Sequence, residues 1–535
     1  MRRLLIGLVV ALVAFGVAGL AETNVPETPG ATLGGTLTLG VGQVFKDLDP
    51  RISNSAYDSY VINEVFDRLV DFHPDTKEIV PFVAKSWEIL SDTVTRFYIN
   101  EGILFHNGEP LTAEDVAFTF NWIADEANNS PNMTELVWME EAVVVEEYVL
   151  DIVTKDEYAP YAPGFASETR AIVPMDYVLE VGDEAFNVAP IGSGPYKFVE
   201  WRTGDRVILE RNEDYWLVYP NLEQVVYRPI PELSVMMAEL EAGGIDISDT
   251  MPATDVPRFR GMDDIEVMQA PGMFYFYVFF NLQHAPSNDI RWRKAVYMSV
   301  NYDAAVFSIF QNLTGLRMYG CVPEGLWAND TEYLRDTVAL QENDAEAKRL
   351  FQELKDEGII PANYKTKVYC PMDPRRRQLA TIMATNLIEN GIDAEVVPMD
   401  WATYLPLCYR SESDPTAADL DQGIIGWSGG YDPHDFVYYM FHSDNCTVGS
   451  ADNLCWLQDD EVDAWIFDAD TTLDQATREE LYVKAQRKAF ELYTNIPGYN
   501  YIQTNGVNTR VHGFIVDPLG SYLLCDPYHN VWVDG

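Results

Sequence analysis

Asp344 to Gly358 reads DAEAKRLFQELKDEG, and the 70 residues after it decide the fold. Ala347, Leu350, Phe351 and Leu354 recur at helical spacing and give one apolar face, which Gly358 closes. Lys367-Val368-Tyr369 then reads as a strand. A second helix begins near Arg376, carries Leu379, Ile382 and Met383, and stops at Gly391. Ile392 to Val397 is a second strand. After a short helix comes a third, Gly423-Ile424-Ile425-Gly426-Trp427. Strand and helix alternating in this way predict an α/β lobe with a doubly wound sheet. Ligands of such lobes sit beyond the carboxyl ends of the strands, so the loop after Ile425 is the first candidate site.

Working outward, Arg96 to Ile99 reads as a strand, His106-Asn107-Gly108 as a turn, and Thr112 as the cap of a helix with Asp115 as its capping-box partner. Val116, Phe120 and Ile123 follow at helical spacing. Thr36 to Val41 reads as a strand, after a Pro/Gly/Thr-rich stretch over 22–35. Ahead of that, Arg2 and Arg3 precede an uncharged, mostly apolar run from Leu4 to Leu20, and Gly19 and Ala21 are small. This predicts a signal peptide over 1–21, cut before Glu22; the alternative is an uncleaved anchor. No Cys lies near the cut, which argues against a lipid anchor, and the expected destination is periplasmic or extracellular.

The chain has 535 residues, more than one hydrophobic core organises, so two or three domains are expected. Acids dominate, 84 Asp and Glu against 36 Lys and Arg, for a formal net charge of −48. Such a surface does not suit nucleic acid, whose phosphates need clustered Lys and Arg. A cationic ligand is one reading of the charge; a solvated surface is the plainer one. Six cysteines follow a signal peptide, which permits disulfides, and Cys446 with Cys455 brackets a turn-rich loop.

Several ordered motifs resemble those of the extracellular solute-binding proteins of family 5, the dipeptide/oligopeptide/nickel-binding type that serves ABC transporters. They are Leu48-Asp49-Pro50; PFVAKSWE over 81–88; FHNGEPLTAEDV over 105–116; GSGPYKF over 192–198; NLQHAPSNDIRWRKA over 281–295; and VDPLG over 516–520. The resemblance covers nearly the whole chain after residue 21. It implies a two-lobed periplasmic-binding-protein fold, a Venus flytrap of the large cluster C type, with an extra inserted domain. By resemblance, lobe I is discontinuous over 22–66, 187–285 and 505–535; the inserted domain spans 67–186; lobe II spans 286–504. Hinge strands are expected near Val278–Leu282 and Tyr501–Thr504. The implied function is capture of a small solute, a peptide first and an oligosaccharide or metal chelate second, for delivery to an ABC permease in the cytoplasmic membrane. A monomer without a cofactor is expected.

The resemblance also nominates ligand residues. Peptide-binding relatives carry Trp-x-x-Asp, whose Asp pairs with the peptide's α-amine. Here the segment is Trp427-Ser428-Gly429-Gly430-Tyr431-Asp432, and Gly430 stands in the Asp position. Asp432 is the candidate substitute, and Trp427 and Tyr431 are candidate aromatic walls. Arg377, with Arg376 as alternate, matches an Arg that grips ligand carboxylate in the dipeptide branch, and a guanidinium fork suits that role. Trp401 is a further candidate wall. Cys446 and Cys455 resemble a loop disulfide of dipeptide-binding relatives.

An enzyme reading competes. Gly426-Trp427-Ser428-Gly429-Gly430 fits G-x-S-x-G, so a secreted serine hydrolase using Ser428 is the alternative. That elbow needs a helix directly after the Ser, and Gly429-Gly430 followed by Asp432-Pro433 opposes one. No HExxH or close His cluster is present, and the dense donor group Asp432, His434, Asp435 reads as loop chemistry around Pro433 rather than a metal site.

Overall fold

The alternation between 344 and 427 folds as its periodicity dictates. A computed structural model describes residues 30–534 apart from 75, 411–419, 421, 447–451 and 521. The expected signal peptide 1–21 and residues 22–29 of the expected first lobe lie outside the described residues. The helix Asp344–Asp356 buries Ala347, Leu350, Phe351 and Leu354, and the Asn343 side chain caps it by accepting from Glu346 N. Three strands follow, Lys365–Pro371, Asp393–Met399 and Gln422–Ser428. The first lies between the other two and pairs parallel with both, as βαβ crossovers require. The helix between the first two runs Pro374–Glu389 rather than from Arg376, because the Asp373 side chain caps it and Pro374 sits in its first turn.

The third of these strands pairs antiparallel with Phe274–Phe280, and that in turn with Asn495–Asn508. This last strand is 14 residues long and joins the two halves of the sheet. Its first part pairs with Phe274–Phe280; its second pairs with Ile265–Pro271 and Ile247–Ser248. Beyond it lie Thr36–Val41, Gln224–Pro229, Arg206–Arg211 and Tyr196–Arg202, and with Gly315–Arg317, which also pairs with the long strand, the sheet has 12 strands among the described residues. The chain therefore passes between the halves at Pro271–Phe274 and at Tyr501–Ile502. Each half has its own apolar core, one drawn from Met273 to Tyr499, the other from Leu37 to Phe66 and Ala171 to Val533. A third core belongs to a separate four-stranded sheet and the helix Ala113–Ala124.

That helix starts as read. Asp115 accepts from Thr112 N at 2.9 Å while Thr112 Oγ1 accepts from Glu114 N at 3.2 Å. The turn before it ties two motifs together. His106 N donates to Gly192 O at 2.8 Å, and its Nε2 lies 3.0 Å from Gly194 O. Burial lowers the imidazole's pKa to about 4, so it is neutral here. A Cβ on Gly192 would run into Val65 O, and one on Gly194 would lie 2.6 Å from Glu64 O, so both positions need glycine. These motifs hold the inserted sheet against the first half, which explains their sequence specificity without a ligand.

The disulfide expected between Cys446 and Cys455 is not formed. Among the described residues all six cysteines are free. Cys446 Sγ donates to Leu457 O at 3.5 Å, and Cys455 Sγ turns inward to Asn453 Oδ1 at 3.1 Å. Also among the described residues, no helix is long and apolar enough to cross a membrane.

Candidate functional site

A cavity of about 900 Å³ opens between the sheet halves and the inserted sheet. Residues within 53–82, 131–170, 427–439 and 515–529 line it from four directions, with Phe274 at its base. The loop after Ile425 thus reaches it, as strand polarity predicts.

Trp427 lines the cavity with its ring held in place. Its Nε1 donates to Asp435 O at 2.6 Å, and Tyr439 packs 5.4 Å away. Tyr431 is 5% exposed, takes Phe72 edge-on at 5.0 Å, and donates its hydroxyl to Asp517 at 3.3 and 3.4 Å. Ser428 ends its strand exposed, and Gly429 and Gly430 follow without a helix until His434. Gly429 is closely packed, while Gly430 is approached only by the end of the Asp435 side chain. A Cβ on Gly429 would lie 2.8 Å from Asp435 Cβ, and one on Gly430 would lie 2.9 Å from Asp435 Oδ2. No His bonds Ser428 among the described residues. His434 is committed elsewhere, so the nucleophile elbow has no base.

Asp432 does not serve as the substitute carboxylate. It is 4% exposed, and Arg478 takes both its oxygens, Nη2 to Oδ1 at 3.0 Å and Nη1 to Oδ2 at 3.1 Å. Its Oδ1 also accepts from His434 N at 2.9 Å. The carboxylate facing the space at Gly430 belongs to Asp435, whose Oδ2 accepts from Gly430 N at 2.7 Å. Burial pushes the Asp435 carboxyl up to about 6, against the pull of nearby His434.

His434 links the loop to the inserted segment. Its Nδ1 lies 2.8 Å from Asp470 Oδ1 and its Nε2 3.2 Å from Tyr158 OH. Ala159 N donates to Asp470 O at 2.6 Å, and Tyr482 OH donates to Asp470 Oδ1 at 2.5 Å. Burial disfavours the imidazolium, but Asp470, with Asp435 and Asp432 beyond, outweighs it and raises the pKa above 6.5.

The arginine positions resolve differently from their sequence match. Arg377 is exposed and outside the cavity lining, because helix phase turns it to solvent. Arg376 lies 5.1 Å over Phe276 and 5.7 Å from Trp401, and Arg375 lies 4.7 Å over Tyr501. Trp401 is 47% exposed and also stands outside the lining, flanking Arg376 at the start of its own helix. The Asp373 cap supplies the anion that three arginines at a helix N-terminus ask for. Sequence reasoning set Asp435 aside and missed Asp517, Tyr158 and Lys77 as residues lining the cleft.

Two sheet halves joined by shared strands, with an aromatic-walled cavity between them, define a hinged ligand-binding protein. The profile of the bacterial extracellular solute-binding proteins, family 5, matches residues 78–447. The chain belongs to this family: it is a solute-binding protein of the kind that serves ABC importers, not an enzyme. It is 24% identical over 501 residues to the dipeptide-binding protein of Escherichia coli, covering 88% of this chain and 90% of that one. It is 23% identical over 500 residues to heme-binding protein A of Haemophilus influenzae, covering 88% and 87%. The fold matches the periplasmic binding protein DppA of Helicobacter pylori in complex with the peptide STSA, with TM-score 0.78, 23% identity and 94% and 99% coverage.

Proposed function

We propose that the protein captures a short peptide outside the cytoplasmic membrane and hands it to an ABC permease, acting as a monomer exported behind a cleaved leader of residues 1–21. One observation carries the peptide reading. Asp435 Oδ2 fills the space beside Gly430, where relatives of the peptide-binding kind carry an Asp side chain. Asp435 lies five residues further along the chain, and its Oδ2 would stand 2.9 Å from a Cβ at Gly430. In this reading Asp435 receives the peptide's α-amine, and Trp427 and Tyr431 wall the cavity. The expected partition of 22–66, 187–285 and 505–535 against 286–504, with 67–186 inserted, shifts at two borders in this reading: residues 273–280 pack with the second half and residues 171–186 with the first. The named dipeptide-binding and peptide-complexed relatives support it.

Closure in this scheme brings Tyr158 and Ala159 of the inserted segment onto His434 and Asp470. The test is mass spectrometry of ligand retained by the purified protein, followed by thermal shifts with di- and tripeptides and with oligosaccharides. A ligand at 100 times its Kd adds about 2.7 kcal/mol of stability. Peptides are expected to raise the Tm. A shift with a sugar or heme, and none with any peptide, overturns the reading.

A further inference from the structure

A second charged feature of the cavity points to what the ligand carries besides its amine. The short hairpin Val70–Phe72 to Ile79–Pro81 brings Lys77 over the cavity. The Lys77 ammonium stands 4.5 Å from the centre of the Tyr431 ring. The same ring donates its hydroxyl to Asp517, whose Oδ1 also accepts from Leu519 N at 2.6 Å. An aromatic face with a carboxylate at its rim is the chemistry that holds an ammonium or guanidinium. Neighbouring groups already have partners: Arg68 pairs with Asp71 at 2.9 Å, and His529 Nδ1 lies 2.8 Å from Asp526 Oδ2. Among the described residues Asp517 forms no ion pair within 4 Å. Burial lifts its carboxyl to about 6, with Lys77 the first of the groups that oppose the lift.

Lys77 reaches this box from another part of the chain, on a flexible stem at a turn where its own φ is 58°. Its backbone N–H is tied to His73 O at 2.9 Å.

We propose that Tyr431 and Asp517 form a subsite for a basic side chain of the ligand, that Lys77 fills it in the absence of such a group, and that a Lys- or Arg-bearing peptide displaces it. The protein then selects basic peptides over neutral and acidic ones. This rests on the peptide reading above.

The experiment is calorimetric titration of ligand-stripped protein with tripeptides that carry Lys, Ala or Glu at each position in turn, together with spermidine. Wild type is expected to bind the best Lys peptide roughly tenfold or more tightly than trialanine. Asp517→Asn brings the ratio of Lys-peptide to trialanine affinity close to one, that ratio being the readout whatever the change in trialanine itself. Lys77→Met strengthens the Lys peptide relative to trialanine; because Lys77 lies in a short hairpin and is itself outside the buried apolar cores, this variant stays informative if Asp517→Asn fails to fold. Equal affinity for Lys peptides and trialanine in wild type sinks the subsite and leaves the peptide reading standing. So does a Lys77→Met variant that weakens every peptide alike, since Lys77 is then a permanent clamp. Binding of spermidine with no peptide bound sinks the peptide reading and leaves the cation subsite. Silence from every probe sinks both.

Discussion

Replacing Asp435 with Asn tests the relocated carboxylate directly. The asparagine keeps an acceptor for Gly430 N, which now donates to Asp435 Oδ2 at 2.7 Å, and leaves the backbone carbonyl that receives Trp427 Nε1. The loop therefore survives and only the charge is lost. An ammonium about 4 Å from the carboxylate, at an effective dielectric near 20, gains about 4 kcal/mol before desolvation. The net worth of a hydrogen bond to a charged group is about 1.5–3 kcal/mol, which is roughly a 10- to 150-fold rise in Kd. Calorimetry should compare one peptide with its N-acetylated form on both proteins. Wild type should prefer the free amine by that factor, and Asp435→Asn should bind both forms about equally. If the variant keeps its preference for the free amine, the carboxylate that reads it lies elsewhere and the argument from Gly430 fails.

Further outcomes follow from the same geometry. Amine binding needs Asp435 ionised and its carboxyl titrates near 6, so affinity should fall as the pH drops below about 6, up to tenfold per unit; Kd across pH 4.5–7.5 reads this. The raised pKa of His434 gives stability that is full below 6.5 and fades as pH rises through the folded value, so His434→Gln should lower the Tm at pH 5.5 more than at pH 8.5. Trp427→Ala removes a cavity wall and should weaken ligand by about 2–4 kcal/mol in the same titration, with little change in unliganded Tm. Gly192→Ala drives a methyl into Val65 O and should cost more than about 2 kcal/mol in chemical unfolding.

The regular elements were legible because their signals are local. The strand Thr36–Val41, the capping box at Thr112 and the buried face of Asp344–Asp356 each rest on residues within one turn or one strand. The polarity of Gln422–Ser428 was also enough to place Trp427 and Tyr431 at the cavity. The charges were not legible, since their partners lie far along the chain. Asp432 and Asp435 look alike until Arg478, 46 residues on, takes one of them. Asp517 meets Tyr431 across 86 residues. Arg375, Arg376 and Arg377 differ only by helix phase against a sheet whose position the sequence does not state.

The strand Asn495–Asn508 has a consequence for how the molecule is made. Both halves of the large sheet need it as a hydrogen-bonding neighbour, yet it is synthesised after everything that precedes residue 495. Until it emerges, Phe274–Phe280 lacks one edge partner and Ile265–Pro271 lacks its only one among the described residues. A nascent chain therefore remains short of its native sheet until residues 495–508 arrive, and the two halves then complete together.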